Sequence, residues 1–336
     1  MPDRPLPRVA MPKSRCSGIT ERLDWRTDGA HWPLREASRF VEAGGIRWHV
    51  QKLGQGPVML LLHGTGASTH SFRDLAPMLS RHFTIVSPDL PGHAFTETPP
   101  ASQLSLRGMA GLVEALVVKM GLDVAWIVGH SAGAAIGAQM IGNGWLRPRG
   151  LVGLNAAMLP LGGVSGLLFP PVARLFSFTS LVPRLFAWQA AQPGRVERLI
   201  DGTGSRLDPE GLAFYACLSR DVKHVSAALG MMARWDMSSV SRIARRLATP
   251  LLLLVGENDR AVPPSCAEQL VATLPASTSS TIELLPDLGH LAHEERPEDA
   301  ARLIEDWVRS VESAEWPGLA DGSQGDGGEP SAASRA

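Results

Sequence analysis

The chain has 336 residues, 44% of them hydrophobic and 19% charged, with a formal net charge of -1; that length allows one large domain or two smaller ones with a full core. The charge balance argues against nucleic acid as a partner, because phosphate binding needs a concentrated basic surface, and the scattered arginines, including Arg242, Arg245 and Arg246, read as a solvated face. Three widely spaced cysteines, Cys16, Cys217 and Cys266, suggest neither a disulfide framework nor a metal cluster, which fits a reducing cytoplasm.

The Pro- and Arg-rich N-terminus has no apolar h-region, so no secretory signal is expected. Residues 1–35 lack sustained periodicity and read as a flexible or surface-draped arm. From Ser38 the pattern turns strand-like: Arg39 to Ala43, a Gly44-Gly45 turn, then alternation from Ile46 to Leu53, together a hairpin. Pro57 to Leu62 is a continuous apolar run, the mark of a strand covered on both faces, and it ends at His63-Gly64-Thr65-Gly66. His70 to Ser80 reads as a helix and Phe83 to Pro88 as a strand closed by Asp89-Leu90-Pro91-Gly92-His93. Leu104 to Met120 carries Leu112, Val113, Leu116, Val117 and Met120 at helical spacing. A further strand, from Val124 to Val128, runs into Gly129-His130-Ser131-Ala132-Gly133, and a helix-compatible stretch follows.

Leu151 to Leu154 continues the alternation. The uncharged stretch from Gly150 to Ala173 is long enough to cross a bilayer. Its glycines, with Pro160, Pro170 and Pro171, favour a strand followed by a loop-rich insertion instead. From about 156 to 240 the chain is rich in Leu, Phe, Ala and Met with few strand signals, and Asp208-Pro209-Glu210 marks a helix start. Strand and helix then resume: Pro250 to Val255, Pro264 to Leu274, Thr281 to Leu285, and a final helix from Pro297 with Ile304, Trp307, Val308 and Val311 on one face. The tail beyond Glu315 is rich in Gly, Ser, Asp and Ala and reads as disordered.

This alternation implies an α/β fold, a mainly parallel twisted sheet flanked by helices. The expected organisation is an arm over 1–35, a first core segment over 36–155, an inserted helical cap over 156–240, a second core segment over 241–312 and a disordered tail over 313–336.

The chemistry centres on the G-x-S-x-G stretch, where a serine on a strained turn between strand and helix needs neighbours without bulk. A serine hydroxyl needs a base to accept its proton and a third group to orient that base. Asp259, in Gly256-Glu257-Asn258-Asp259-Arg260, and His290, in Pro286-Asp287-Leu288-Gly289-His290, follow Ser131 in that order, each after its own strand. Glu257 is an alternative acid and His293 a rival base; His290 is preferred because its loop directly follows the strand. The negative charge of a tetrahedral intermediate needs preorganised donors, for which the backbone N–H groups of Thr65 and Ala132 are placed. His63 and His93 read as structural. There is no phosphate-binding loop, no H-E-x-x-H and no metal-ligand spacing, so neither a metal nor a cofactor is expected. Serine rather than aspartate at the elbow argues against dehalogenase or epoxide hydrolase chemistry.

His63 to Ala67, Pro88 to His93, Gly129 to Gly133, Gly153-Leu154-Asn155-Ala156 and Gly256 to Arg260, with Asp24-Trp25 and Trp32 to Ser38 upstream, resemble the α/β-hydrolase subfamily of magnesium-chelatase accessory proteins (BchO) of bacteriochlorophyll biosynthesis. Ala94 departs from the Gly that usually follows Gly-His, which leaves the conformation of that loop open. The resemblance implies an α/β-hydrolase fold and a role near magnesium insertion into protoporphyrin in a photosynthetic bacterium, beside a magnesium-chelatase subunit. Cap residues Leu168, Phe169, Phe176, Phe186 and Trp188 are available for a large, flat hydrophobic ligand such as a tetrapyrrole, or for packing the cap onto the core. An apolar cap is also suited to peripheral contact with a membrane. Three functions remain open: a serine hydrolase acting on an ester, an accessory porphyrin-binding protein with an idle triad, and a generic carboxylesterase.

Overall fold

A computed structural model describes residues 18–159 and 181–315. Its frame is one eight-stranded sheet in the order β1-β2-β4-β3-β5-β6-β7-β8. The strands are β1 (Ser38–Ala43), β2 (Ile46–Leu53), β3 (Val58–Leu62), β4 (Thr84–Pro88), β5 (Val124–His130), β6 (Gly150–Leu154), β7 (Leu251–Gly256) and β8 (Ser280–Leu285). The hairpin forms as expected, pairing Ala43 with Ile46 and Ser38 with Gln51. Its turn requires both glycines, since Gly44 and Gly45 have φ of 60° and 79°, the left-handed geometry of a type I′ connection. β2 joins β4 antiparallel, and every later pairing, from β3 beside β4 to β7 beside β8, is parallel.

The apolar runs of the central strands are divided by the pleat between two cores. Leu60 and Leu62 face the cluster that contains Met109, Val113, Ile136 and Met140, whereas Met59 and Leu61 face the one that contains Leu75, Leu79, Ile304 and Trp307. Leu251 and Leu253 split from Leu252 and Leu254 in the same way. Fully burying one such side chain stabilises by roughly 1.5–3 kcal/mol, which is why a strand covered on both faces shows no polar alternation.

The first face holds α2 (Leu106–Lys119) and α3 (Ala132–Gly142); the second holds α1 (Leu75–Leu79) and, after the last strand, α11 (Pro297–Glu315). Ser105 caps α2 by accepting a hydrogen bond from the Gly108 amide at 3.2 Å. The helix expected over His70 to Ser80 is broken into a 3₁₀ turn, Thr69–Phe72, and the short α1. Ser68, Thr69, His70 and Ser71 are buried there; the Ser68 hydroxyl bonds the His70 amide and ring locally, an alternative to a continuous helical ladder, while the Thr69 amide donates to Asp89 and the Ser71 hydroxyl bonds His293.

Between β6 and β7 the described residues form α4 (Leu181–Ala190), α5 (Arg195–Gly202), α6 (Pro209–Ser219), α7 (Val222–Ala233) and α8 (Met237–Ala244). Asp208 caps α6 at the expected start, accepting from the Gly211 amide. The remaining helices are α9 (Ser265–Val271) and the short α10 (Ala292–Glu295). Part of the uncharged stretch from Gly150 to Ala173 lies outside the described residues; its start is β6, and among the described residues no helix is long and apolar enough to cross a membrane.

The described part of the N-terminal arm lies against the core: Leu23 and Trp32 are buried, and the Leu23 amide donates to Asp221 Oδ2 at 3.0 Å. One expectation changes. Cys217, on α6, is disulfide-bonded while Cys266 is free. Sequence spacing is silent on whether two Cα atoms approach closely enough for a disulfide.

Candidate active site

Ser131 sits where β5 ends and α3 begins, at φ 50° and ψ −114°, a strained backbone conformation of the kind that persists where its surroundings over-determine it. Here they do. Its amide donates to the Leu154 carbonyl at 2.9 Å, and its carbonyl accepts from the amides of Ala134 and Ala157 at 3.2 and 3.1 Å. The flanking glycines are a matter of space: a Cβ on Gly129 would strike the backbone of Ala134, and one on Gly133 the Leu62 carbonyl.

The loop after β3 runs beside this elbow. A Cβ on Gly64 would lie 2.7 Å from His130 Nδ1 and 3.2 Å from Ser131 Cβ, so Thr65, the next residue, is a neighbour of the nucleophile position. Ala132 is the first residue of α3, where an amide has no intrahelical acceptor. The Thr65 hydroxyl contacts Met231 Sδ of α7 at 3.6 Å.

Asp259 and His290 meet across the ends of β7 and β8. His290 Nδ1 lies 2.8 Å from Asp259 Oδ2; a carboxylate can only accept, so Nδ1 carries the proton and Nε2 is left free as a base. Asp259 Oδ1 accepts from the amides of Ala261 and Val262, each at 2.8 Å, and Oδ2 also accepts from Asn155 Nδ2 at 2.8 Å. Asp259 is 4% exposed and His290 9%, so this carboxylate depends on those donors for solvation. Glu257, the alternative acid, is exposed. Among the described residues no hydrogen bond joins the Ser131 hydroxyl to His290; catalytic bonds of this type often tighten only around substrate.

His293, the rival base, belongs to a separate buried network. Ser71 donates its hydroxyl proton to Glu294 Oε1 at 2.8 Å, so it accepts from His293 Nε2 at 2.9 Å. Glu294 also receives Arg73 at 2.7 Å and the Tyr215 hydroxyl at 2.7 Å. Burial, with the nearby His290 and Arg73, holds His293 down to about 3, which makes it a poor proton acceptor at neutral pH. His130 stacks between the two, 4.9 Å from the His290 ring and 4.5 Å from that of His293, and donates from Nε2 to the His290 carbonyl at 3.0 Å.

His63 and His93 both serve the backbone. His63 donates from Nδ1 to the Gly64 carbonyl at 2.8 Å and accepts the Leu90 amide at Nε2, while His93 donates to the Pro91 carbonyl at 3.2 Å. The loop conformation left open at Ala94 is left-handed, φ 41°, and its amide donates to His224 Nδ1 at 3.0 Å. Of the proposed ligand-facing residues, Leu168, Phe169 and Phe176 lie outside the described residues. Phe186 and Trp188 are 46% and 53% exposed on α4, beside the exposed Leu181 and Leu185.

Sequence reasoning did not single out Asn155, His130, His224 or the Glu294 network for this region. Each gains its role from a contact across more than 100 residues, and two of them lay in motifs already noticed, His130 within Gly129 to Gly133 and Asn155 within Gly153 to Ala156.

The fold and this constellation define an α/β-hydrolase, and comparison with known proteins agrees. Residues 59–303 match the model of the Alpha/beta hydrolase family, and the chain belongs to that family. It is 37% identical over 288 residues to the Magnesium-chelatase 30 kDa subunit of Rhodobacter capsulatus, a match covering 85% of this chain and 99% of that one. It is 27% identical over 293 residues to a 2-hydroxy-6-oxo-6-phenylhexa-2,4-dienoate hydrolase of Burkholderia cepacia, over 81% and 96% of the two chains. Among solved structures it is similar to a putative lipase from Acinetobacter baumannii AYE, with TM-score 0.69 and 18% identity over 82% of this chain and 92% of that one. The haloalkane dehalogenase DbeA from Bradyrhizobium elkani USDA94 superposes with TM-score 0.66 and 21% identity, over 82% and 99% of the two chains. At such identities the structural likeness speaks to the fold alone.

Proposed function

We propose that the protein is a serine hydrolase acting on an ester of a hydrophobic substrate, in the magnesium-porphyrin steps of bacteriochlorophyll formation. The observation that carries this reading is the buried hydrogen bond from His290 Nδ1 to Asp259 Oδ2 at 2.8 Å, beside a serine on a strained elbow. Ser131 Oγ attacks the ester carbonyl carbon while His290 Nε2 takes its proton. The oxyanion is held by the amides of Thr65 and Ala132, a contribution of ~3 kcal/mol per donor. The tetrahedral adduct collapses, the proton passes from His290 to the departing alkoxide, and the alcohol leaves a Ser131 acyl ester. Water then attacks that ester with His290 as base, and the acid and the free serine are regenerated.

The pigment context rests on the similarity to the magnesium-chelatase subunit. The same similarity favours a second reading, an accessory protein that binds a porphyrin or a chelatase subunit and leaves the serine idle. The reading of a generic carboxylesterase gains no specific support. The exposed Leu181, Leu185, Phe186 and Trp188 of α4 suit a protein resting peripherally on the photosynthetic membrane, where tetrapyrroles partition, since apolar and aromatic side chains bury well at a lipid interface.

Labelling of wild type and Ser131→Ala with a fluorophosphonate is the first test: wild type is expected to label and the variant not, and a folded wild type that stays unlabelled sinks the hydrolase. Restoration of pigment by Ser131→Ala in a strain lacking the protein decides the context. Failure of the variant supports hydrolysis; full restoration establishes the accessory reading.

A further inference from the structure

Asn155 follows the last residue of β6, and its amide extends the β6–β7 pairing by donating to the Leu254 carbonyl at 2.8 Å. It has φ 46°, a left-handed conformation that Asn tolerates better than most residues. The side chain is 1% exposed and spans two loops. Nδ2 donates to Asp259 Oδ2 at 2.8 Å, on the loop after β7, and to the Gly289 carbonyl at 3.2 Å, on the loop after β8 immediately before His290. Because a carboxylate and a carbonyl can only accept, the amide orientation is decided: both hydrogens of Nδ2 are committed to the two loops.

The cost of that commitment is visible. Asn155 Oδ1 is buried without a hydrogen-bond partner, which costs stability. It is a penalty that a residue serving packing alone would shed by substitution with an apolar side chain. With Asn155 in place, Asp259 accepts four hydrogen bonds, from Ala261, Val262, Asn155 and His290. The carboxylate therefore has no rotation open to it that keeps all four, and His290 is confined to the tautomer with a free Nε2.

We infer that Asn155 is the positioning residue of the catalytic pair, a clamp that joins the Asp259 and His290 loops and sets the carboxylate against His290 Nδ1. This rests on the assignment of Ser131, His290 and Asp259 to acyl transfer. Asn155 does not touch the reacting atoms; it acts through Asp259.

Fluorophosphonate labelling rates measured against pH test the clamp. Asn155→Gly keeps the backbone conformation and removes the amide. Asn155→Asp keeps size and backbone tolerance but replaces the amide with a group that donates only while it holds a proton, one it would share with Asp259. Both variants are first checked for a native circular dichroism spectrum and a cooperative thermal transition. Asn155→Gly is expected to label at least 10-fold more slowly at pH 7, with the acid limb of its profile moved to higher pH. Asn155→Asp is expected to approach wild type at low pH and to fall away as pH rises, a descending limb that wild type lacks. A merely structural role would lower the amplitude of labelling and leave the profile unmoved. Two folded variants that label at the wild-type rate with the wild-type profile overturn the clamp. Failure of wild type itself to label strikes the acyl-transfer assignment instead and is seen before either variant is compared.

Discussion

His224 Nε2 donates to the Gly66 carbonyl at 3.1 Å, and the same imidazole accepts the Ala94 amide at Nδ1 at 3.0 Å. One buried side chain from α7 thus holds both the loop that carries Thr65 and the left-handed turn at Ala94. His224→Ala strands the buried Ala94 amide, at ~1–3 kcal/mol, and takes the donor from the half-buried Gly66 carbonyl. A loss of ~1–3 kcal/mol in unfolding free energy is expected, measured by urea denaturation, and an unchanged midpoint would show the contacts to be dispensable.

The strain at Ser131 makes a second prediction, in which stability and activity part. A non-glycine residue at φ 50° and ψ −114° carries ~1–3 kcal/mol of strain, and glycine relieves it at an entropic cost of roughly 0.5–1 kcal/mol. Ser131→Gly is expected to raise unfolding stability by about 1 kcal/mol while abolishing fluorophosphonate labelling. A destabilised variant would mean that the serine side chain itself holds the elbow.

Glu294 lies at the centre of a buried network that contains Arg73, Ser71 and Tyr215. Burial raises its carboxyl, while Arg73 opposes that shift. Glu294→Leu leaves the Arg73 guanidinium, 7% exposed, with only the exposed Asp74 and Asp208 as partners, at 3.2 and 3.5 Å, so a loss towards the lower end of the ~3–5 kcal/mol typical of breaking a buried pair is expected. The double variant Arg73→Met/Glu294→Leu is expected to recover most of that loss in chemical denaturation. If it does not, the hydrogen bonds of Ser71 and Tyr215 dominate.

Buried histidines set the acid limit of the fold. Burial, reinforced by neighbouring imidazoles, holds His63 and His93 at about 3. His293 is also held at about 3, by burial, His290 and Arg73, and burial holds His224 at about 4. In the unfolded chain each returns to ~6.5. The unfolded state therefore binds more protons, and the stability present above pH ~6.5 is lost as pH falls towards 4, by ~1.4 kcal/mol per pH unit for each histidine. The urea midpoint is expected to fall steeply between pH 6.5 and 4.5. His93→Phe, which keeps the ring shape, should flatten that slope, whereas His82→Gln at an exposed position should not; equal slopes in all three proteins would defeat the account.

Much of this molecule is legible in the chain itself. The apolar runs at Val58–Leu62 and Leu251–Gly256 announce strands covered on both faces, and Gly44-Gly45 announces the hairpin, because pleat and turn geometry are local and leave a direct trace in residue order. The order of Ser131, Asp259 and His290, each after a strand, is local in the same sense, and it pointed to Asp259 before any contact was known. What the chain does not display is whatever depends on approach between distant segments. The exposure of Glu257 against the burial of Asp259, the separation of His293 from His290, the disulfide at Cys217 and the docking of Leu23 on Asp221 were decided by packing alone. The break in the helix expected from His70 goes with the burial of Ser68, Thr69, His70 and Ser71, which residue order does not display. Asn155 marks the boundary between the two kinds of knowledge. Its motif is visible in sequence, yet its two bonds to Asp259 and Gly289 exist only because a parallel sheet brings the ends of β6, β7 and β8 side by side, where one amide can reach both loops.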